Sequence, residues 1–233
     1  MSEPNTLFTM TAPGLLAFPV VTEEQLQRTL KFREDQAKRG NRQMRDAGYE
    51  VSLLLDEDHP DLPGIKAAIV AAATGKAEIG AKYQLPIKRG SVMADKNATK
   101  RKALTPPKAP SQEYLRDKIV LVARSKFPVA LGIFQKGGIV NLDTDALKAL
   151  HSKKFFAGAE ALIQVRFAWY DPSPLVPAGG VNAFLQTALA TGRGKPFPGT
   201  GERSVAEAFK GYAGHLSNED PLAGTDPEDN FEF

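Results

Sequence analysis

Basic side chains are concentrated in the middle of the chain, where they could neutralise a polyanion. Residues 82–126 contain twelve bases and three acids. Each cation that neutralises a phosphate releases condensed counterions, so this local excess is typical of polyanion-binding proteins. Alternation over 114–127 predicts a strand with four of these bases on one face. The predicted phosphate contacts are Arg116, Lys118, Arg124, Lys126, Arg166, Lys88 and Arg89.

Aromatic residues lie in or beside the predicted strands. In 164–170 (QVRFAWY), period two places Phe167 and Trp169 on one face and Arg166 and Tyr170 on the other. We expect Phe167 in the core and Tyr170 exposed beside Arg166, whereas periodicity leaves Trp169 undecided. Exposed rings stack on the bases of single-stranded nucleic acid, at about 1–3 kcal/mol per base. The predicted stacking residues are Tyr170, Trp169 and Phe127.

The charge changes sign near the C-terminus. Residues 216–233 contain six acids and no Lys or Arg, and they end in DPEDNFEF. This composition predicts a disordered tail on a body formed by residues 1–215. Terminal aromatics among acids fit a basic, apolar pocket, either on a partner or in the binding cleft of the protein itself. The predicted partner-binding residues are Asp226, Glu228, Asp229, Phe231, Glu232 and Phe233.

Residue types that support catalysis or metal binding are sparse. The chain has no cysteine, which excludes disulfides, zinc–thiolate sites and a cysteine nucleophile, and its three histidines are scattered. The acids of 56–61 lack an EF-hand pattern, so we expect a turn that caps the next helix. The segment 192–201 matches neither phosphate-binding glycine motif, and it is either a basic loop at phosphates or a plain connection. We predict no catalytic residue, no metal and no cofactor.

No segment of the sequence has the features of a membrane anchor or a secretory signal. The longest apolar runs fall short of the roughly 18 residues that span a bilayer. The first residues lack a basic region followed by an apolar stretch. We therefore expect no membrane partner.

Several strands separated by few, short helices must position these side chains. Strands are predicted over 49–55, 114–127, 129–134, 139–142, 158–170 and 181–189, after an extended segment at 7–21. Helices are predicted over 23–39, 64–74, 143–150 and 204–212, and a mobile loop over 94–110. Because the strands do not alternate regularly with helices, a doubly wound sheet is disfavoured. A mainly β Greek-key barrel with helical and loop insertions fits better.

In order, these segments resemble the single-stranded DNA-binding proteins of tailed bacteriophages, which have the OB-fold. The resemblance rests on the strand, acidic turn and Ala-rich helix of 49–74, LPIKRG at 85–90, FAG at 156–158 leading into 165–170, the strand after Gly179, and the acidic, Phe-ended tail. It implies a five-stranded OB barrel without catalytic activity or an obligatory cofactor.

The resemblance also implies a biological role. The body would coat and protect single-stranded DNA in phage replication, recombination and repair, in the cytoplasm of the infected bacterium. The tail would contact phage or host replication proteins and compete with DNA for the cleft. The sequence does not decide whether the protein forms a homodimer.

Two other functions remain as alternatives. One is a basic scaffold that binds proteins or RNA. The other is a Mg²⁺-dependent nuclease that uses Asp56, Glu57 or Asp58.

Overall fold

A closed ring of five β-strands forms the centre of the fold. The computed structural model describes residues 6–38, 48–77, 83–104, 112–174 and 177–197. The strands of this described part are β1 (Leu7–Thr9), β2 (Gly14–Val20), β3 (Tyr49–Asp56), β4 (Ile87–Arg89), β5 (Lys118–Ser125), β6 (Ala130–Gln135), β7 (Gly138–Asn141), β8 (Ala159–Tyr170) and β9 (Gly180–Gly194). Its α-helices are α1 (Glu23–Lys38), α2 (Leu62–Ala73), α3 (Gly90–Lys102) and α4 (Asp145–His151).

Strand pairing closes the ring in the order β2–β3–β5–β9–β8 and back to β2. Within the ring the β5–β9 pair is parallel and the other pairs are antiparallel. This is a Greek-key barrel of the OB type, in which β2, β3, β5, β8 and β9 are the first to fifth strands. The hairpin of β6 and β7 extends the sheet beyond β9, and β1 extends it beyond β8. The fold class expected from the sequence is confirmed.

The inward side chains of the ring fill one apolar core. Val51, Leu53 and Leu55 of β3 are almost completely buried, and so are Leu121 of β5 and Phe167 of β8. Helix α2 covers part of the barrel with its own buried apolar side chains. Burying such side chains stabilises the fold by about 1.5–3 kcal/mol each, so this packing fixes which face of every strand points outward.

Most predicted elements are present, but three segments differ from the sequence expectation. The first part of the predicted loop 94–110 belongs to helix α3, which buries Ala94 against the barrel. The prolines that suggested a loop all come after this helix ends. The strand predicted over 114–127 is limited to β5, because a 3₁₀ turn precedes it. Strand β9 extends to Gly194 and takes in the start of the glycine-rich segment, while the predicted helix 204–212 lies outside the described residues.

A second apolar cluster packs on the outside of the barrel. Leu54 of β3 and Val120 of β5 point away from the core and are covered by Leu115 and helix α3. The ring of Phe197 stacks on Tyr114 in the same cluster, with centroids 4.2 Å apart. Consequently β5 does not alternate simply, and half of the outer face of β3 and β5 is closed to a ligand.

Asp61 connects the acidic turn to the loop between β1 and β2. Its buried carboxylate accepts hydrogen bonds from the Thr11 N–H (2.8 Å), the Thr11 hydroxyl (2.6 Å) and the Ala12 N–H (2.9 Å). The acidic turn precedes α2 as expected, and Asp61 is the N-cap residue of this helix, but its side chain bonds to the β1–β2 loop and makes no capping hydrogen bond. Burial opposes ionisation, but the bonds from Thr11 and Ala12 outweigh it, so the pKa of Asp61 lies below its ordinary value.

We expect Asp61→Asn to lower the free energy of unfolding by about 2 kcal/mol at neutral pH, because the partly buried N–H groups of Thr11 and Ala12 lose their anionic acceptor. A lowered carboxyl pKa contributes stability above the ordinary Asp pKa of 3.8, and this contribution is lost as the pH falls through the folded-state pKa. Urea titrations should therefore show a difference between wild type and variant that is largest near pH 7 and decreases as the pH is lowered below 3.8. Asp58→Asn, in the exposed part of the same turn, is the control and should leave stability unchanged. An equal loss of unfolding free energy in both variants would contradict a stabilising role for the Asp61 hydrogen bonds.

Candidate nucleic-acid interface

The outward side chains of β8 and β9 form a continuous strip, which we call the outer ribbon. The register pairs Tyr170 with Gly180, Ala168 with Asn182, and Arg166 with Phe184. Four residues of strand separate the first pair from the last, a length of about 13 Å. Ala168 has a small side chain and Gly180 has none, so little projects from the sheet in the middle of the ribbon and at one of its ends. An extended chain could therefore lie along it between Tyr170 and Phe184.

The Phe184 end of the ribbon is crossed by a row of charged side chains. Phe184 lies between Arg166 of β8 and Arg124 of β5 in the strand register, and its side chain is 39% exposed. Arg124 Nε donates to Glu50 Oε2 at 2.8 Å, across the next strand pair. Arg166 is exposed and has no carboxylate partner among the described residues. An aromatic ring flanked by two guanidinium groups can stack a base while the cations hold the adjacent phosphates.

Phe184 is absent from the residues predicted to stack. A signal was available in residues 181–186 (VNAFLQ), where Val181, Ala183 and Leu185 are buried and Asn182, Phe184 and Gln186 are exposed. An aromatic residue at an outward position of such a strand is worth noting. The prediction located the strand but did not work out its register.

Tyr170 and Trp169 lie at the other end of the ribbon, next to the turn between β8 and β9. Tyr170 is half-buried rather than fully exposed, since its hydroxyl donates to Gln84 Oε1 at 3.2 Å. This burial raises the pKa of the Tyr170 phenol. Trp169 packs partly against the core, edge-on to Tyr83 at 5.5 Å between centroids, and its indole N–H donates to Asp171. The residue left undecided by periodicity is therefore mainly a packing residue with one polar edge.

Phe127 is the most exposed of the predicted stacking residues. Its side chain is 76% exposed in the loop after β5. The Ser125 hydroxyl donates to the Phe127 carbonyl at 2.8 Å and accepts from the Phe127 N–H at 3.1 Å, which holds the loop backbone. The exposed Lys126 lies between them in sequence, beside the Arg124 end of β5.

The four bases predicted on one strand face are separated into two groups. Lys118 and Arg124 are at opposite ends of β5, about 20 Å apart, and the second apolar cluster covers the strand between them. Arg116 precedes the strand, where it pairs with Glu113 (3.0 Å) and Asp95 (2.8 Å). The hydrogen bond to Glu113, followed by that to Asp95, raises the pKa of Arg116. The prediction of a single continuous basic face on this strand is therefore wrong.

The remaining predicted phosphate contacts lie near the Lys118 group. Lys118 pairs with Asp56 across the β3–β5 ladder. Lys88 and Arg89 are exposed on β4, opposite Val120 and Ile119 of β5, and neither has an ion-pair partner in the described chain. Together with the basic last turn of α3, they make a second cationic surface.

The described residues give little support to a metal site or to a nuclease site. Within the described ranges, no three His, Asp or Glu side chains are grouped so that they could hold a metal ion. Of the proposed nuclease acids, Asp56 is engaged by Lys118. None of the helices in the described chain is long and apolar enough to cross a membrane. The acidic tail lies outside the described residues.

Comparison with known proteins gives a fold likeness without sequence relatives. No protein-family model and no curated protein sequence matches the chain. Among solved structures, it is similar to the single-stranded DNA-binding protein from bacteriophage Enc34, with a TM-score of 0.53 and 14% identity over 86% of this chain and 89% of that one. The same phage protein in complex with single-stranded DNA aligns with a TM-score of 0.52 and 15% identity over 82% and 89%. At this identity the likeness establishes a shared fold, which confirms the barrel implied by the sequence resemblance.

Proposed function

We propose that this chain is a non-enzymatic single-stranded DNA-binding protein. The observation that carries the proposal is Phe184, exposed between Arg166 and Arg124 on the outside of an OB barrel. OB barrels bind oligonucleotides on the face of their second and third strands and at the loops after the first and fourth. Here those strands are β3 and β5. The second apolar cluster covers one half of their face, and the open half continues into the outer ribbon.

The two ends of the interface have different tasks in this proposal. Phe184, Phe127 and Tyr170 stack on bases, whereas Trp169 packs against Tyr83 at the same end of the ribbon. Arg166, Arg124 and Lys126 neutralise the phosphates beside them. Arg116, Lys118, Lys88 and Arg89 belong to the second cationic surface, which a longer strand would reach after leaving the ribbon.

The wider role follows from the fold likeness and the composition of the tail. We infer that the protein coats and protects single-stranded DNA during phage replication, recombination and repair, in the cytoplasm of the bacterial host. The acidic residues and the terminal Phe233 of the tail recruit phage or host replication proteins and compete with DNA for the basic interface.

The proposal predicts tight binding of oligo-dT and much weaker binding of duplex DNA of the same length, since stacking needs exposed base faces. With about five of the seven proposed cations in contact with phosphates, affinity should fall about 100-fold between about 50 and 200 mM salt. Fluorescence anisotropy with labelled oligo-dT, oligo-U and duplex measures both effects. Equal affinity for dT and duplex would overturn the proposal, and a preference for oligo-U would favour the RNA scaffold. Cleavage of the labelled DNA in the presence of Mg²⁺ would favour the nuclease alternative.

We expect Phe184→Ala to weaken oligo-dT binding about 5- to 100-fold, the loss of one stacking contact, without changing the salt slope. Phe134→Ala is a matched control, because Phe134 is also an exposed aromatic residue on a strand (57%). It lies near Gly192, which is eight residues away from Phe184 along β9. This variant should bind like wild type. If both variants lose affinity equally, the ribbon is not the site.

Deletion of residues 216–233 should raise oligo-dT affinity several-fold, most at low salt, because six competing carboxylates are removed. A full-length variant with these six acids changed to Asn or Gln separates charge from tail length and should behave like the deletion. Unchanged or weaker binding by both would argue against competition.

A further inference from the structure

The outer edge of β7 is a free strand edge in the described chain. β7 ends the sheet: it pairs with β6, and no described segment pairs with its other side. The hairpin turn places Gln135 opposite Gly138, and Leu142 N–H donates to the Leu131 carbonyl at 2.8 Å. Since hydrogen-bonded pairs alternate along an antiparallel ladder, the N–H and C=O groups of Ile139 and Asn141 point away from β6. These groups can pair with another strand.

The edge is also apolar, which is unusual for an exposed strand. Ile139 is 62% exposed, Val140 is 40% exposed, and Phe134 on the neighbouring strand is 57% exposed. Proteins commonly protect free edges with charges, prolines or bulges. The sequence of β7, GIVN, contains none of these charges or prolines, and its pairing with β6 is regular. A short apolar strand with free backbone groups is suited to pairing with a further strand.

We propose that β7 pairs antiparallel with β7 of a second copy, about a two-fold axis at Val140. Ile139 of each copy then exchanges two backbone hydrogen bonds with the partner's Asn141, four bonds in all. Val140 faces the partner's Val140 as a non-hydrogen-bonded pair, and Ile139 side chains pack beside Phe134 on the same face. The result is an isologous dimer with one continuous sheet.

Charge favours a second copy over the acidic tail as the occupant. Lys136 precedes β7 and Asp143 follows it, and both are exposed. In the two-fold register, Lys136 falls within one position of the partner's Asp143, on each side of the axis. The tail residues 226–233 carry four acids and no base, so Asp143 and Asp145 would repel them there. Because the strand is short, we expect a reversible dimer.

A single-cysteine variant tests the register directly, since the chain has no cysteine of its own. Opposed residues of a non-hydrogen-bonded pair have Cα atoms about 4.5 Å apart, within disulfide reach. Val140→Cys should therefore give a covalent dimer under mild oxidation. Phe32→Cys, at a 64% exposed position on α1, is the control for random collision and should give little. Equal yields from the two variants would overturn the proposal.

A charge swap tests the same dimer without cysteine. In sedimentation equilibrium without DNA, the wild type should show a concentration-dependent dimer. Lys136→Glu and Asp143→Lys should each weaken association about 10-fold, and the double variant should restore it. A wild type that stays monomeric up to about 200 μM, or single variants that associate normally, would count against β7 pairing. Since no DNA is present, this result is independent of the DNA-binding proposal.

Discussion

The long antiparallel pairing of β8 with β9 holds the barrel closed and sets the outward face on which the proposed site lies. The two strands remain in register from Tyr170 and Gly180 towards Val165 and Leu185. There the register shifts, because Gln186 is an extra residue of β9 between partners. From Val181 to Leu185 the buried side chains of β9 are odd-numbered, and from Ala188 onward they are even-numbered. The bulge therefore allows Phe184 to face solvent while Ala188 and Ala190, later in the same strand, face the core.

The second apolar cluster decides how much of the barrel surface is available to a ligand. Helix α3 and the stacked pair of Tyr114 and Phe197 lie over Leu54 and Val120, so the outer face of β3 and β5 is divided. The cations around Lys118 lie near β4 and α3, and those around Arg124 lie beside the outer ribbon. Ion pairs differentiate the cations further, since Arg116, Lys118 and Arg124 have carboxylate partners whereas Arg166 has none within the described residues. Such partners lower the gain from binding a phosphate, because an existing ion pair must be replaced.

The free edge of β7 belongs to the same architecture. The ring satisfies the backbone groups of its five strands, but the hairpin of β6 and β7 continues the sheet through β9 and ends in open solvent. A closed barrel with one appended hairpin thus separates two tasks. The ring carries the proposed nucleic-acid surface, and the appended edge carries the proposed contact with another copy.

The sequence by itself determined the class of the fold, most strand positions, the burial of Phe167 and the exposure of Arg166, because these depend on local alternation and on the apolar content of each segment. It also showed the excess of bases over 82–126 and the opposite charge of the tail. Helix α3 was missed, since its weak amphipathic pattern becomes stable only by packing on Leu115. The position of Phe184 between Arg166 and Arg124, the division of the basic face and the ion pairs were decided by tertiary structure alone. They depend on a bulge and on contacts between segments far apart in the chain, which no local pattern encodes.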